Sequence, residues 1–194
     1  MQSISPETIF RGSGAWLEAL PRITKLTNRP LLLGRSNKTN NLRKKIHKDL
    51  SDHNLSVYSA NLQFDCCHED LSRIKNIVLN HKCDSIIAVG GGKVLDAGKY
   101  LANYLSIPCV TVPLSASTCA GWTALSNIYT INGQFIKDIS LRSCPNILVF
   151  DHKFIQTAPT RTLASGIADA LAKWYESSIT SSAIDDGLVQ QAIQ

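Results

Sequence analysis

Residues 85–105 read SIIAVGGGKVLDAGKYLANYL. A short apolar run passes through three glycines and a lysine into an amphipathic pattern. Glycine loses more backbone freedom on ordering than any other residue, so a triplet needs a reason. Between a strand and a helix, glycines turn the chain through positive φ and let a ligand approach the main chain with no Cβ in the way. They also leave free N–H groups at the helix N-terminus, where the dipole attracts phosphate. That is the physics of a dinucleotide pyrophosphate site at the carboxyl end of a parallel sheet. A tight turn with no ligand would use the same residues, and the triplet is neither GxGxxG nor a Walker A loop. Its company favours the ligand. Asp96 and Lys99 fall in the first turns of the expected helix, and the next strand ends in Pro113, Ser115, Ser117 and Thr118.

Outward from this stretch the pattern alternates. A buried strand is expected at 31–33, stopping at Gly34, then a helix at 40–50, a strand at 55–60 and a helix at 68–82. Ile74, Ile77 and Val78 form the inner face of that last helix. After 85–105 comes a strand at 107–113, stopped by Pro113. Strand and helix alternating at this spacing predict a parallel sheet covered on both faces. Residues 124–140 then read as two β-like runs around Asn132-Gly133, a hairpin signal. Residues 146–150 close the α/β part. From Asp151 the chain reads helical, with Leu163, Ile167, Leu171 and Trp174 near helical spacing and a final helical pattern at 183–194. The predicted organisation is an α/β nucleotide-binding domain over 1–150, followed by helical sequence over 151–194.

The bulk composition is that of an ordinary soluble chain: 194 residues, 44% hydrophobic and 18% charged. No apolar run approaches the roughly 20 residues of a membrane span. The N-terminus has no basic start followed by an apolar block, so the expected location is cytoplasmic. The net charge of +5 comes partly from RKKIHK at 43–48. With Leu42, Ile46 and Leu50 opposite, that stretch reads as a solvated helix face. It lacks the interleaved aromatics of a nucleic-acid module, so neither nucleic acid nor membrane is an expected partner. The six cysteines include no CxxC pair. Cys66-Cys67-His68 could form a soft-metal corner, but no second ligand pair is spaced to complete it.

Four blocks together resemble a known family. GGGKVLDAGK, TVPLSAST, ALSNIYT and GIADALAKWYE look like the glycerol dehydrogenase-like branch of the iron-containing alcohol dehydrogenases, in the family's order and spacing. The resemblance runs from about residue 5 to the end of the chain. It implies a Rossmann-like nucleotide-binding domain followed by the first helices of an all-α metal-binding domain. It also implies NAD or NADP as hydride carrier and a divalent metal, zinc or iron, between the domains. The implied substrate is a small alcohol or polyol, oxidised at its CH–OH group. Carried over by position, the pyrophosphate lies on Gly91, Gly92 and Lys93 with Asp96 nearby. Leu114, Ser117, Thr123, Leu125 and Tyr129 line the rest of the cofactor groove, and Asp169 is the carboxylate metal ligand.

The sequence departs from the family pattern at three places. The family supplies two further histidine ligands, but His47, His53, His68, His81 and His152 all precede Asp169. The usual STDAP reads STCAG here, which puts Cys119 where the family has an acidic residue near the substrate. Arg35, just beyond the first expected strand, suits a 2′-phosphate better than free ribose hydroxyls, so the expected cofactor leans to NADP. A surface arginine is the alternative reading. A non-catalytic relative that binds nucleotide as a sensor or partner subunit also stays open, as does a homo-oligomer that supplies missing ligands from another copy.

Overall fold

The computed structural model describes residues 5–180. Six parallel strands form one sheet in the order β1-β8-β5-β4-β2-β3. They are β1 (Thr8–Gly12), β2 (Pro30–Gly34), β3 (Tyr58–Asn61), β4 (Ser85–Gly90), β5 (Cys109–Pro113) and β8 (Ile147–Asp151). Helices α1 (Ala15–Leu26), α2 (Asn40–Asp52), α3 (His68–Asn80) and α4 (Gly92–Leu105) connect or cover them. A separate antiparallel pair, β6 (Leu125–Tyr129) and β7 (Phe135–Ser140), follows β5. Two helices, α5 (His152–Ile155) and α6 (Thr160–Thr180), end the described chain. The fold is α/β and Rossmann-like, as the alternation of patterns predicts. The helical expectation over 183–194 lies outside the described residues.

The period-2 geometry of a strand sends successive side chains to opposite faces, and both faces here are apolar. Leu31, Leu33, Ile86 and Ala88 join Leu71, Ile74, Val78, Leu95 and Leu101 beneath α3 and α4. Leu32, Ile87, Val89, Val110, Val112, Ile147 and Val149 join Trp16, Ile23, Ile46 and Leu50 beneath α1 and α2. Of the residues expected inside α3, Ile74 and Val78 are buried and Ile77 is partly so.

Two elements precede the first strand expected from sequence. β1 pairs with β8 at the sheet edge, and α1 packs Trp16, Ala19, Leu20 and Ile23 into the core. Asp151, at the end of β8, accepts hydrogen bonds from the N–H groups of Gly14 at 3.2 Å and Trp16 at 3.0 Å. A carboxylate there satisfies otherwise orphaned donors and complements the helix dipole. Pro21 sits inside α1. It removes a helical donor, which masks the helix in a sequence reading.

One surface expectation is corrected. Arg43, expected on a solvated face, is buried. Its guanidinium lies across Gly34, where any Cβ would collide with it, and donates to the Ser36 carbonyl at 2.9 Å and to the Thr39 hydroxyl. The hairpin forms as expected, but its loop is longer than two residues. The Thr130 N–H donates to the Gln134 carbonyl at 2.8 Å, and Gly133 takes φ +79° between them.

Candidate functional site

The strand order fixes where a ligand can enter. From β2 the chain crosses to β3 on one side, while from β4 it crosses to β5 on the other. Adjacent strands whose connections part in this way open a crevice at their carboxyl ends. That crevice lies beyond Gly34 and Gly90. It has a volume of about 500 Å³ and is lined by Arg35, Ser36, Thr39, Gly90 to Val94, Arg161 and Thr162. An adjoining groove of about 370 Å³ shares Ser36, Thr39, Gly91, Arg161 and Thr162 and extends to Lys38, Leu114 and Ser115. Neither is lined by an acidic residue.

The glycine triplet builds this crevice by close approach rather than by left-handed backbone. None of the three has a positive φ, contrary to the turn geometry expected from sequence. A Cβ at Gly90 would stand 2.8 Å from Val94, and one at Gly92 would stand 3.1 Å from Thr118. Gly91 meets only the Ser115 hydroxyl, at 3.8 Å, so its main chain is open to the crevice. It precedes α4 as an extended N-cap with no side-chain partner for the helix N–H groups. Amides at such an end attract anions.

Of the expected residues, Arg35, Gly91, Gly92 and Lys93 line the crevice, and Gly91 and Leu114 line the adjoining groove. The Lys93 ammonium pairs with the buried Asp65 carboxylate and stands 5.4 Å from the centroid of the Tyr129 ring. Burial, helped by the charges of Asp96 and Asp65, pushes the Tyr129 phenol above its ordinary value. The Ser117 hydroxyl lies 3.0 Å from that of Ser115.

Three expected residues are committed elsewhere. Asp96 does not line the crevice: it is buried and pairs with Lys99 at 3.1 Å. Burial raises its carboxyl above the usual range, against the opposing pull of Lys99. Lys99 donates to the Thr123 carbonyl at 3.2 Å and to the Leu125 carbonyl. The Ser126 hydroxyl donates to the Asp96 carbonyl at 3.0 Å. Asp96, Thr123 and Leu125 thus fasten the hairpin to α4, a role that a motif match does not distinguish from ligand contact.

Asp65, Ser36, Thr39 and Arg161 were not expected at the site. Only their meeting in space reveals them: Arg161 is remote in sequence from the glycine triplet, and no spacing rule links the two.

Comparisons with known proteins bear on the family and the fold. Residues 6–152 match the family described as Iron-containing alcohol dehydrogenase. The chain belongs to that family. It is 36% identical to an uncharacterized oxidoreductase of Synechocystis over 192 residues, 99% of this chain and 49% of the relative. It is 39% identical to a glycerol dehydrogenase of Escherichia coli over 131 residues, 68% of this chain and 36% of the relative. The crystal structure of glycerol dehydrogenase from Schizosaccharomyces pombe superposes with a TM-score of 0.80 at 30% identity, covering 91% of this chain and 45% of that one. The chain thus spans half or less of these relatives' length.

Family membership brings a metal into question, and the described residues do not fit one. Asp169 lies on α6, and its carboxylate is bound by Lys173 at 2.6 Å. Burial opposes the Lys173 charge, but Asp169 and the nearby Cys119 outweigh it and hold the ammonium above its ordinary value. Among the described residues no three His, Cys, Asp or Glu side chains converge on Asp169 or elsewhere. A catalytic metal normally needs about three protein ligands. Cys66 and Cys67 do not supply them, because both are completely buried in the core and burial pushes the Cys66 thiol far up. The soft-metal corner is thereby corrected to packing.

Proposed function

We propose that this chain forms the nucleotide-binding part of an NAD(P)-dependent, metal-dependent oxidoreductase that acts on the CH–OH group of a small alcohol or polyol. The observation that carries the reading is the cation-lined crevice at the strand switch point, floored by the open main chain of Gly91. Names of relatives such as glycerol dehydrogenase suggest the substrate class. We place the boundary of the nucleotide-binding domain near residue 150, with 151–194 beginning a helical metal-binding part. The metal dependence rests on the family.

A bound nicotinamide cofactor would supply the hydride acceptor. The chain's own residues bind and orient. The N–H groups at the start of α4 receive the pyrophosphate, Leu114 gives apolar contact, and Ser115 presents its hydroxyl along the groove with Ser117 beside it. Lys93 is held in place by Asp65 beside the Tyr129 ring, so it has little freedom to lose on binding, although that carboxylate offsets its charge. Arg35 and Lys38 follow the end of β2, are exposed, and have no side-chain hydrogen bond or ion pair among the described residues. They support NADP over NAD, because a 2′-phosphate would give them charge-assisted hydrogen bonds.

Titration of the chain with NADH and NADPH, read by nicotinamide fluorescence, tests this. Both bind, NADPH more tightly. Arg35→Asp loses NADPH affinity tenfold or more, in line with about 1.5–3 kcal/mol for a charged hydrogen bond, and leaves NADH nearly unchanged. Equal losses for both would return Arg35 to the surface, and no binding of either would end the dehydrogenase reading.

A further inference from the structure

We propose that Arg161 is an anion-binding residue that clamps the diphosphate of a bound nucleotide against the N-terminus of α4, so that the ligand fastens α6 to the sheet. The inference deepens the nucleotide-binding reading and rests on it.

Arg161 stands in the first turn of α6 and, like Gly91, lines both connected grooves. Four cationic side chains surround this space: Arg35, Lys38, Lys93 and Arg161. Only Lys93 is neutralised, by Asp65. Among the described residues the other three make no side-chain hydrogen bond or ion pair, and no carboxylate lines either groove. Unscreened like charges around one cavity repel, and an anion placed among them relieves that repulsion. A guanidinium is suited to the task because its planar fork takes two phosphate oxygens at once. The glycine amides approach such an anion from the sheet side and Arg161 from the helical side.

The same geometry makes Arg161 a link. Helix α6 meets the sheet domain closely where Gly166 presses against Ala116 and Ser117, while its apolar side chains stay exposed. A ligand bridging Arg161 and the α4 N-terminus adds a second attachment at the first turn. Arg161 itself is exposed, so its removal has little packing to disturb.

The test uses the full chain and two probes, NADH and inorganic pyrophosphate. Pyrophosphate competes with NADH for the unaltered chain. Its addition slows amide hydrogen exchange in the first turns of α6. Arg161→Gln weakens NADH and pyrophosphate at least tenfold, removes that protection and leaves the thermal midpoint of the ligand-free chain unchanged. Arg161→Lys recovers part of the affinity. The proposal falls if Arg161→Gln binds NADH as the unaltered chain does, a result that leaves the nucleotide reading intact. It also falls if pyrophosphate leaves exchange in α6 unchanged, which needs no variant at all. Failure of the unaltered chain to bind either NADH or NADPH overturns both readings together.

Discussion

Helices α4 and α6 both start at the crevice, and each carries an aspartate and a lysine one turn apart. Their surroundings are opposite. α4 buries Val94, Leu95, Ala97, Leu101 and Ala102 together with both members of its ion pair. α6 leaves Leu163, Ile167, Leu171 and Trp174 between 51% and 63% exposed, with an ion pair open to water. A helical period of apolar residues specifies a face and says nothing of what covers it. The same holds for charge: an Asp–Lys pair about one turn apart is an internal fastener in α4 and a surface pair in α6.

Substitutions can break or sharpen that contrast. The largest effect is expected at Lys99. Lys99→Ala leaves the Asp96 carboxylate buried without its cation and frees the carbonyls of Thr123 and Leu125, at a cost of about 3–5 kcal/mol. Urea unfolding measures it, and a loss below about 1 kcal/mol would erase the distinction between the helices. Next comes Gly166→Ala. The added Cβ collides with the Ala116 carbonyl, a fixed backbone group, so α6 must shift. Overpacking of this kind costs about 1–3 kcal/mol, expected here as faster amide exchange in α6 with the sheet unchanged. The smallest effect belongs to Lys173→Ala, below about 1 kcal/mol in the same urea experiment, because its pair with Asp169 is solvated.

Much of the fold was legible because strong local rules agreed. Buried strands at Leu31–Leu33 and Ile86–Val89 read as continuous apolar runs, and the positive φ of Gly133 matches the Asn-Gly signal. The first strand and helix were not legible. β1 alternates over only five residues, and Pro21 interrupts the helical pattern of α1. At the site, the glycines and Arg35 could be found from their place after strands. Asp65 and Arg161 could not, since their roles come from the approach of segments far apart in sequence. Asp96 stands beside the motif, but its buried carboxylate faces Lys99, a pairing that its place in the motif does not reveal.

The register of the sheet edge has a consequence for how the chain is made. Thr8 to Gly12 lie beside Ile147 to Asp151, and Asp151 also holds the start of α1. At a synthesis rate of about 5–20 residues per second, the first strand emerges on the order of ten seconds before its neighbour exists. Until then Trp16 and Ile23 have only part of their final cover. β1 can therefore take its place in the sheet only after β8 has been made, although β1 is made earlier.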